Sequence, residues 1–364
     1  MAPDARRPIL VVGTGLIGTS IALALRERGH DVCLDDFSDD HLRQAERLGA
    51  GRRHRGEAVA IAVVAVPPAA TASVVAHLLE ANDCTVTDTA SVKSGPQSEV
   101  ESLVARPAAA RFVGGHPLAG RERGGPFAAR ADLFAGRPWV LTPASDASPD
   151  AVQDARWLVA ECGATPVLMT AAAHDRGLAV TSHLPQLVAS ALAAQLAVQP
   201  DDVLALTGQG LRDMTRIAAS DPVLWADIAA RNAEPLAAAI DELSRSLANV
   251  SRALREGPEA SSAAVRDLVD SGRAGKRRIP GKHGGAPRSY TIVSVIVPDQ
   301  PGQLARLLAD ASDAGANVED LRVEHAPGLP VGIIELFVGP EVSHALGTAL
   351  ARAGWRVIDP PESP

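Results

Sequence analysis

The stretch PILVVGTGLIGTSIALALRERGHDVCLDD, residues Pro8–Asp36, decides the fold. Ile9–Val12 is an uninterrupted apolar run, the pattern of a strand buried on both faces of a parallel sheet. Gly13, Gly15 and Gly18 follow at G-x-G-x-x-G spacing, a helix is expected from Thr19 to Arg28, and a second strand from Asp31 to Leu34 runs into acidic residues. Strand, glycines, helix and then an acid about 20 residues on is the context in which this motif binds a dinucleotide. The first glycine permits the turn, the second lets backbone approach a pyrophosphate, and the third lets helix and strand pack closely. Leu16 and Ile17, among these glycines, are placed where a helix N-terminus offers N–H groups to phosphates. Asp36 is expected to accept hydrogen bonds from the adenosine ribose, with Asp35 as the adjacent competitor. An acid there disfavours a 2′-phosphate, and Phe37 brings no positive charge, so the cofactor expected is NAD rather than NADP.

The alternation continues along the chain. Ala60–Val66, Cys84–Ser94 (CTVTDTASVKS), Arg111–Gly120 (RFVGGHPLAG), Arg137–Pro143 and Ala164–Thr170 each contain a strand pattern. Open α/β sheets bind ligands beyond the carboxyl ends of their strands. Val66, Ser91 and His116 fall at or just past such ends. Histidine is the side chain that titrates nearest neutral pH, so His116 is a candidate for proton transfer.

After Leu168 the pattern becomes helical. In HDRGLAVTSHLPQLVASALAAQLA (His174–Ala197) Val180, Leu184, Leu187, Ala191 and Leu192 share a face, and Pro185 is expected to bend or restart the helix. Leu236, Ile240, Leu243, Leu247, Val250 and Leu254 alternate spacings of four and three, a narrow stripe suited to a second subunit. Residues 257–289 are rich in Gly, Ser, Ala and Pro with a basic run, and read as an exposed linker. The remainder gives strand, helix, two strands, helix and a short last strand, the order of a ferredoxin-like βαββαβ domain. The expected division is 1–172 a Rossmann-type doubly wound domain, 173–256 an all-α domain, 257–289 linker and 290–364 the small α/β domain.

Composition narrows the function. With 364 residues, 46% hydrophobic and 21% charged, the chain can bury large cores. A net charge of −8 argues against nucleic-acid binding. Cys33, Cys84 and Cys162 sit in apolar contexts without metal-type spacing, so no metal is expected. No apolar leader precedes the first strand and no apolar run reaches spanning length, which points to a cytoplasmic protein without membrane contact.

Taken together, VVGTGLIGTSIA, DTASVKS, FVGGHPLAGRERGG, TSHLPQLVA and RDMTRIAASDPVLWADI resemble, in order and spacing, the prephenate dehydrogenase family of tyrosine biosynthesis. The segment VIVPDQPGQLARLLADASDAGANVEDLRVEH resembles an ACT regulatory domain, which some members carry. The resemblance implies NAD-dependent oxidative decarboxylation of prephenate to 4-hydroxyphenylpyruvate. It implies that His116 is the catalytic histidine bonded to the ring hydroxyl and that Ser91 is its partner at that hydroxyl. By the same resemblance Arg216 binds a substrate carboxylate, His183 lines the pocket, and Glu122 and Arg212 form an ion-pair gate over it. Gln186 stands where some members have a histidine tied to substrate and tyrosine recognition, and Arg121 where relatives can have a small hydroxylated residue. Arogenate and 4-amino-4-deoxyprephenate therefore stay as alternative substrates. The resemblance also implies a homodimer and a tyrosine effector at the ACT domain, near Asp299–Gly302.

A non-catalytic NAD or amino-acid sensor is the competing class, disfavoured because His116, Ser91 and Arg216 are all present. A 6-phosphogluconate- or β-hydroxyacid-type dehydrogenase would need a lysine in the helical region, and none lies between Lys93 and Lys276.

Overall fold

A computed structural model describes residues 7–120, 124–279, 290–325 and 330–358. Among them the chain forms two compact units, Met1–Arg252 and Ala253–Pro364.

The first unit is built on eight strands: β1 (Ile9–Val12), β2 (Val32–Asp35), β3 (Arg52–Arg53), β4 (Ile61–Val64), β5 (Thr85–Asp88), β6 (Phe112–Pro117), β7 (Pro138–Pro143) and β8 (Thr165–Leu168). They lie in the order β3-β2-β1-β4-β5-β6-β7-β8. All neighbours are parallel except β6 and β7. Successive residues of β1 feed opposite faces, as strand periodicity requires. Ile9 and Val11 join a core with Leu25 and Trp139, whereas Leu10 joins another with Val64, Val75 and Leu79. The strand order reverses at β1, with β2 on one side and β4 on the other, so a crevice opens at the glycine turn.

The helix after that turn spans Leu16–Glu27 and begins inside the glycine motif, three residues earlier than its apolar pattern alone suggests. Downstream, helices Ala171–Leu178 and Leu184–Ala194 are joined through a π-helical segment, Ala179–His183. Pro185 sits in the first turn of the second helix, where its missing N–H costs nothing. The expected bend is thus a wide turn ending in His183. Contrary to the sequence reading, the continuous stretch Ala171–Val198 is long and apolar enough by composition to cross a membrane. It also carries His174, Asp175, His183 and Gln186, all buried and hydrogen-bonded within this unit, although only 22% of its apolar window is buried. Helix Ala233–Glu256 carries the heptad-like stripe. Leu236 is buried, but Leu247 and Leu254 are 55% and 60% exposed, so the far end of the stripe is uncovered in one chain.

In the second unit, Pro258–Lys276 is a helix, where the sequence suggested a flexible linker. Pro258 in its first turn and the alanines that follow favour helix despite the loop-like composition. Then come β9 (Thr291–Pro298), helix Gln303–Asp313, β10 (Asp320–His325), β11 (Val331–Val338), helix Pro340–Arg352 and β12 (Arg356–Ile358). The strands form an antiparallel sheet in the order β10-β11-β9-β12. Valines 293, 295 and 297 of β9 enter a core with Leu307, Leu346 and Trp355.

Candidate active site

The glycine turn has the shape its sequence promises. A side chain on Gly13 would come within 2.4 Å of the Ala65 carbonyl, and one on Gly18 within 1.8 Å of the Gly13 carbonyl. Gly15 is different: no atom lies within 4 Å of its would-be Cβ, so a side chain there would fill open space rather than clash. Gly15 caps the helix without a side-chain hydrogen bond and no acid occupies the first turn. The N–H groups of Leu16 and Ile17 therefore have no intrahelical acceptor and face this space with the positive helix end. Val66 N borders Gly13 on the β4 side.

Of the two acids after β2, Asp36 is the one held at the turn. Its carboxylate accepts from Thr14 N at 2.5 Å, Thr14 Oγ1 at 2.8 Å and Ser38 N at 2.7 Å. Asp35 ends β2 and is exposed. Asp36 Oδ2 takes both Thr14 bonds, whereas Oδ1 takes only that from Ser38 N and keeps a further lone pair for a ribose hydroxyl. The open cradle, the donor-rich helix end and this carboxylate fit a dinucleotide.

His116 lies near the end of β6, opposite Val140 of β7. The preceding glycine is needed for packing: a Cβ on Gly115 would stand 2.5 Å from the Asp88 carbonyl. The strand is pinned from below. Asp88 accepts from Gly115 N at 2.9 Å, and the fully buried Lys93 donates to the Asp88 carboxylate and, at 2.6 Å, to the Gly115 carbonyl. Burial pushes the Lys93 ammonium below its ordinary range, against the pull of Asp88.

Behind His116 runs a relay that the sequence reading missed. His116 Nδ1 lies 2.8 Å from His174 Nε2, and His174 Nδ1 lies 2.8 Å from Asp175 Oδ1. The Asp175 carboxylate also accepts from Lys93 N at 2.9 Å and Ser94 N at 2.8 Å. Burial would raise its pKa, but these hydrogen bonds, led by that from His174, hold it at about 2. An ionised Asp175 requires the proton on His174 Nδ1, leaving His174 Nε2 as an acceptor. His116 must then donate from Nδ1, so its own Nε2 is an unprotonated acceptor. Burial, followed by the charges of His174, Lys93 and His183, lowers the His116 pKa well below its ordinary value, opposed by Asp175. His116 is thus a neutral base of fixed tautomer.

His183 is held the other way round. The Asn232 amide donates to the Asp175 carbonyl at 2.8 Å and to His183 Nδ1 at 3.0 Å, which places the His183 proton on Nε2. Burial lowers its pKa too. Its ring packs edge-on against Trp225, with centroids 6.0 Å apart.

Trp225, Gln186 and Arg216 line a cleft of about 1090 Å³ with Phe127 and Ser220. Gln186 is buried, and its amide is spent on the turn carrying Arg216: it donates to the Ile217 carbonyl at 2.9 Å and accepts from Ser220 Oγ at 3.3 Å. Ser91 stands in the loop after β5, and no hydrogen bond joins it to His116 among the described residues. Arg212 is exposed one turn before Arg216 and does not line the cleft. Glu122 and Arg121 lie outside the described residues. Asp88, Lys93, His174, Asp175 and Asn232 complete the site; the DTASVKS motif and the His-Asp pair at 174–175 were their visible signals.

Comparison with known proteins identifies one family over residues 21–265. The prephenate dehydrogenase nucleotide-binding domain matches residues 21–168, and the prephenate dehydrogenase dimerization domain matches residues 170–265. The probable prephenate dehydrogenase NovF of Streptomyces niveus is 37% identical over 360 residues, covering 96% of this chain and 99% of that protein. The crystal structure of prephenate dehydrogenase from A. aeolicus, in complex with hydroxyphenyl propionate and NAD+, aligns with a TM-score of 0.66 at 28% identity, covering 74% of this chain and 97% of its own. Synechocystis arogenate dehydrogenase aligns with a TM-score of 0.62 at 27% identity, covering 73% and 99%.

Proposed function

The chain belongs to the prephenate dehydrogenase family, and on that premise we propose that it oxidises and decarboxylates prephenate with NAD, with His116 as the base at the ring hydroxyl. The observation that carries this reading is the Asp175–His174–His116 relay, which leaves His116 Nε2 as a bare acceptor.

NAD, when bound at the glycine turn, supplies the hydride acceptor. Asp36 holds its ribose, while Gly13, Gly15, Gly18, the N–H groups of Leu16 and Ile17, and Val66 border the rest. His116 Nε2 accepts the hydrogen bond of the ring hydroxyl and draws on that proton as the carbon beneath it loses hydride. Ser91 bonds the same hydroxyl. Carbon dioxide leaves from the opposite ring carbon, its bonding pair enters the ring, the proton shared with His116 ends on the ring oxygen, and aromatisation gives 4-hydroxyphenylpyruvate. Arg216 offers a planar fork to a substrate carboxylate. Gln186 keeps the Arg216 turn in place, and His183 offers an N–H at the Trp225 wall.

The second unit we assign to the ferredoxin-like class, as an ACT domain, from its βαββαβ order and the Asp299–Gly302 turn. Gly302 there takes a left-handed conformation, with φ of +86°, as it opens helix Gln303–Asp313. Tyrosine is the effector proposed at that turn. The proposed division keeps 1–172 as the Rossmann-type domain, 173–256 as the helical domain and 290–364 as the ACT domain, with helix Pro258–Lys276 in place of most of the expected linker, and the helical region supports a homodimer through the uncovered end of its apolar stripe. The protein acts in the cytoplasm.

The test is NADH formation followed spectrophotometrically with prephenate, arogenate and 4-amino-4-deoxyprephenate in parallel. Prephenate should give the highest kcat/KM. A protein that binds NAD yet reduces it with none of the three would be a sensor, and the reading would fail. Tyrosine inhibition should weaken in Asp299→Ala; unchanged, purely competitive inhibition would remove the effector assignment.

A further inference from the structure

The end of β2 carries more charge than Asp36 alone. Ser38 N donates to Asp36 at 2.7 Å, and Ser38 Oγ accepts from His41 N at 3.3 Å, capping helix Asp39–Arg47. The N-terminus of that helix therefore stands just past the carboxylate placed at the ribose. A helix N-terminus attracts phosphate, yet this first turn carries Asp39 and Asp40. Asp40 is spent within the helix, on Gln44 at 2.6 Å and Arg43 at 3.6 Å. Asp39 is spent outward. Arg53, on the edge strand β3 opposite Leu34, donates from Nη2 to Asp39 Oδ1 at 2.5 Å. That bond holds the Asp39 carboxyl below its ordinary range. A guanidinium thus stands near the ribose acid, although Phe37 brings no charge, and it is already matched.

On the reading that the glycine turn binds NAD, we propose that Asp36 and Asp39 exclude NADP together: Asp36 repels a 2′-phosphate directly, and Asp39 withholds Arg53, the guanidinium that would otherwise pair with it. In dinucleotide folds a 2′-phosphate is taken by an arginine near the ribose acid. Loss of Asp36 alone makes room for the phosphate, but presents it with an acid-loaded helix end and a cation already paired. Loss of Asp39 as well frees the planar fork of Arg53 for a phosphate and unmasks the positive helix end. The Arg53 and Asp39 side chains are 50% and 68% exposed, and surface pairs of this kind add little to stability. Their separation therefore leaves the fold intact.

The test is fluorescence titration with NADH and NADPH, which reads binding without turnover. The native protein should bind NADH far more tightly than NADPH. Asp36→Ser should weaken NADH binding and gain little for NADPH. Asp36→Ser combined with Asp39→Ala should bind NADPH about 10- to 100-fold more tightly than Asp36→Ser does, the worth of a charged hydrogen bond, with NADH affinity equal in the two. Adding Arg53→Ala should remove that gain. A double variant with native circular dichroism whose NADPH affinity stays at the Asp36→Ser level would overturn the proposal, and so would a gain that survives Arg53→Ala. A native protein that binds neither nucleotide would instead overturn the NAD reading itself, and the proposal with it.

Discussion

His116 Nδ1 and His174 Nε2 are 2.8 Å apart, and this one contact decides which end of the His116 ring faces chemistry. Because Asp175 takes the far proton of His174, the contact is a donation from His116, and its Nε2 can only accept. Asp175→Asn removes the charge that sets this direction. Turnover should fall by about 10²-fold, within the range of a positioned acid–base group, with little change in NAD affinity by calorimetry. Unchanged turnover would mean that the tautomer is set elsewhere.

The depressed pKa of His116 gives a pH signature. The neutral form is the base, so activity is lost as pH falls through its pKa. Burial has moved that pKa well below the ordinary 6.5. The acid limb of kcat/KM, which reports the free enzyme, should therefore lie below pH 6.5. A limb centred at or above that value would contradict the assigned environment.

Asp36 is bonded through Thr14 to the glycine turn, so its loss should strike cofactor binding first. Asp36→Ala should raise the KM for NAD by about 10- to 100-fold, the worth of a charged hydrogen bond, with a smaller effect on kcat. The native protein should prefer NAD over NADP in kcat/KM.

Arg216→Ala should act on the substrate side, raising the KM for prephenate by a similar factor of about 10- to 100-fold, while NAD affinity stays as it was. A variant with normal KM would place the carboxylate elsewhere in the cleft.

Lys93→Met tests the pinning beneath the site. It strands the Asp88 carboxylate in a fully buried position. Breaking a buried pair costs about 3–5 kcal/mol, which urea denaturation should read as a lower midpoint with an unchanged slope.

The dinucleotide turn was legible because its glycines, strand and acid are neighbours in sequence and each answers a local steric need. Spacing favoured Asp36 over Asp35, but the bonds that hold Asp36 to Thr14 across the turn were not visible in sequence. His116 could be marked from its strand end, but its tautomer could not. His174 and Asp175 come from a helix, and Asn232 from the turn between two helices, far along the chain, and only the fold brings them behind β6. Lys93 reads as a surface residue by type, and tertiary packing buries it against Asp88. The helix Pro258–Lys276 was hidden by a Gly- and Ser-containing composition that Pro258 in the first turn and the alanines after it outweigh. Gln186 was visible as a pocket residue, but its hold on the Arg216 turn was not.

The central claim is that His116 Nε2 is the base at the ring hydroxyl. It is tested most directly by single-turnover NADH formation with saturating NAD and prephenate in the native protein and in His116→Asn. The account predicts a loss of roughly 10²–10⁴-fold in the rate of this step, with NAD binding preserved. A variant that still turns over near the native rate would contradict it.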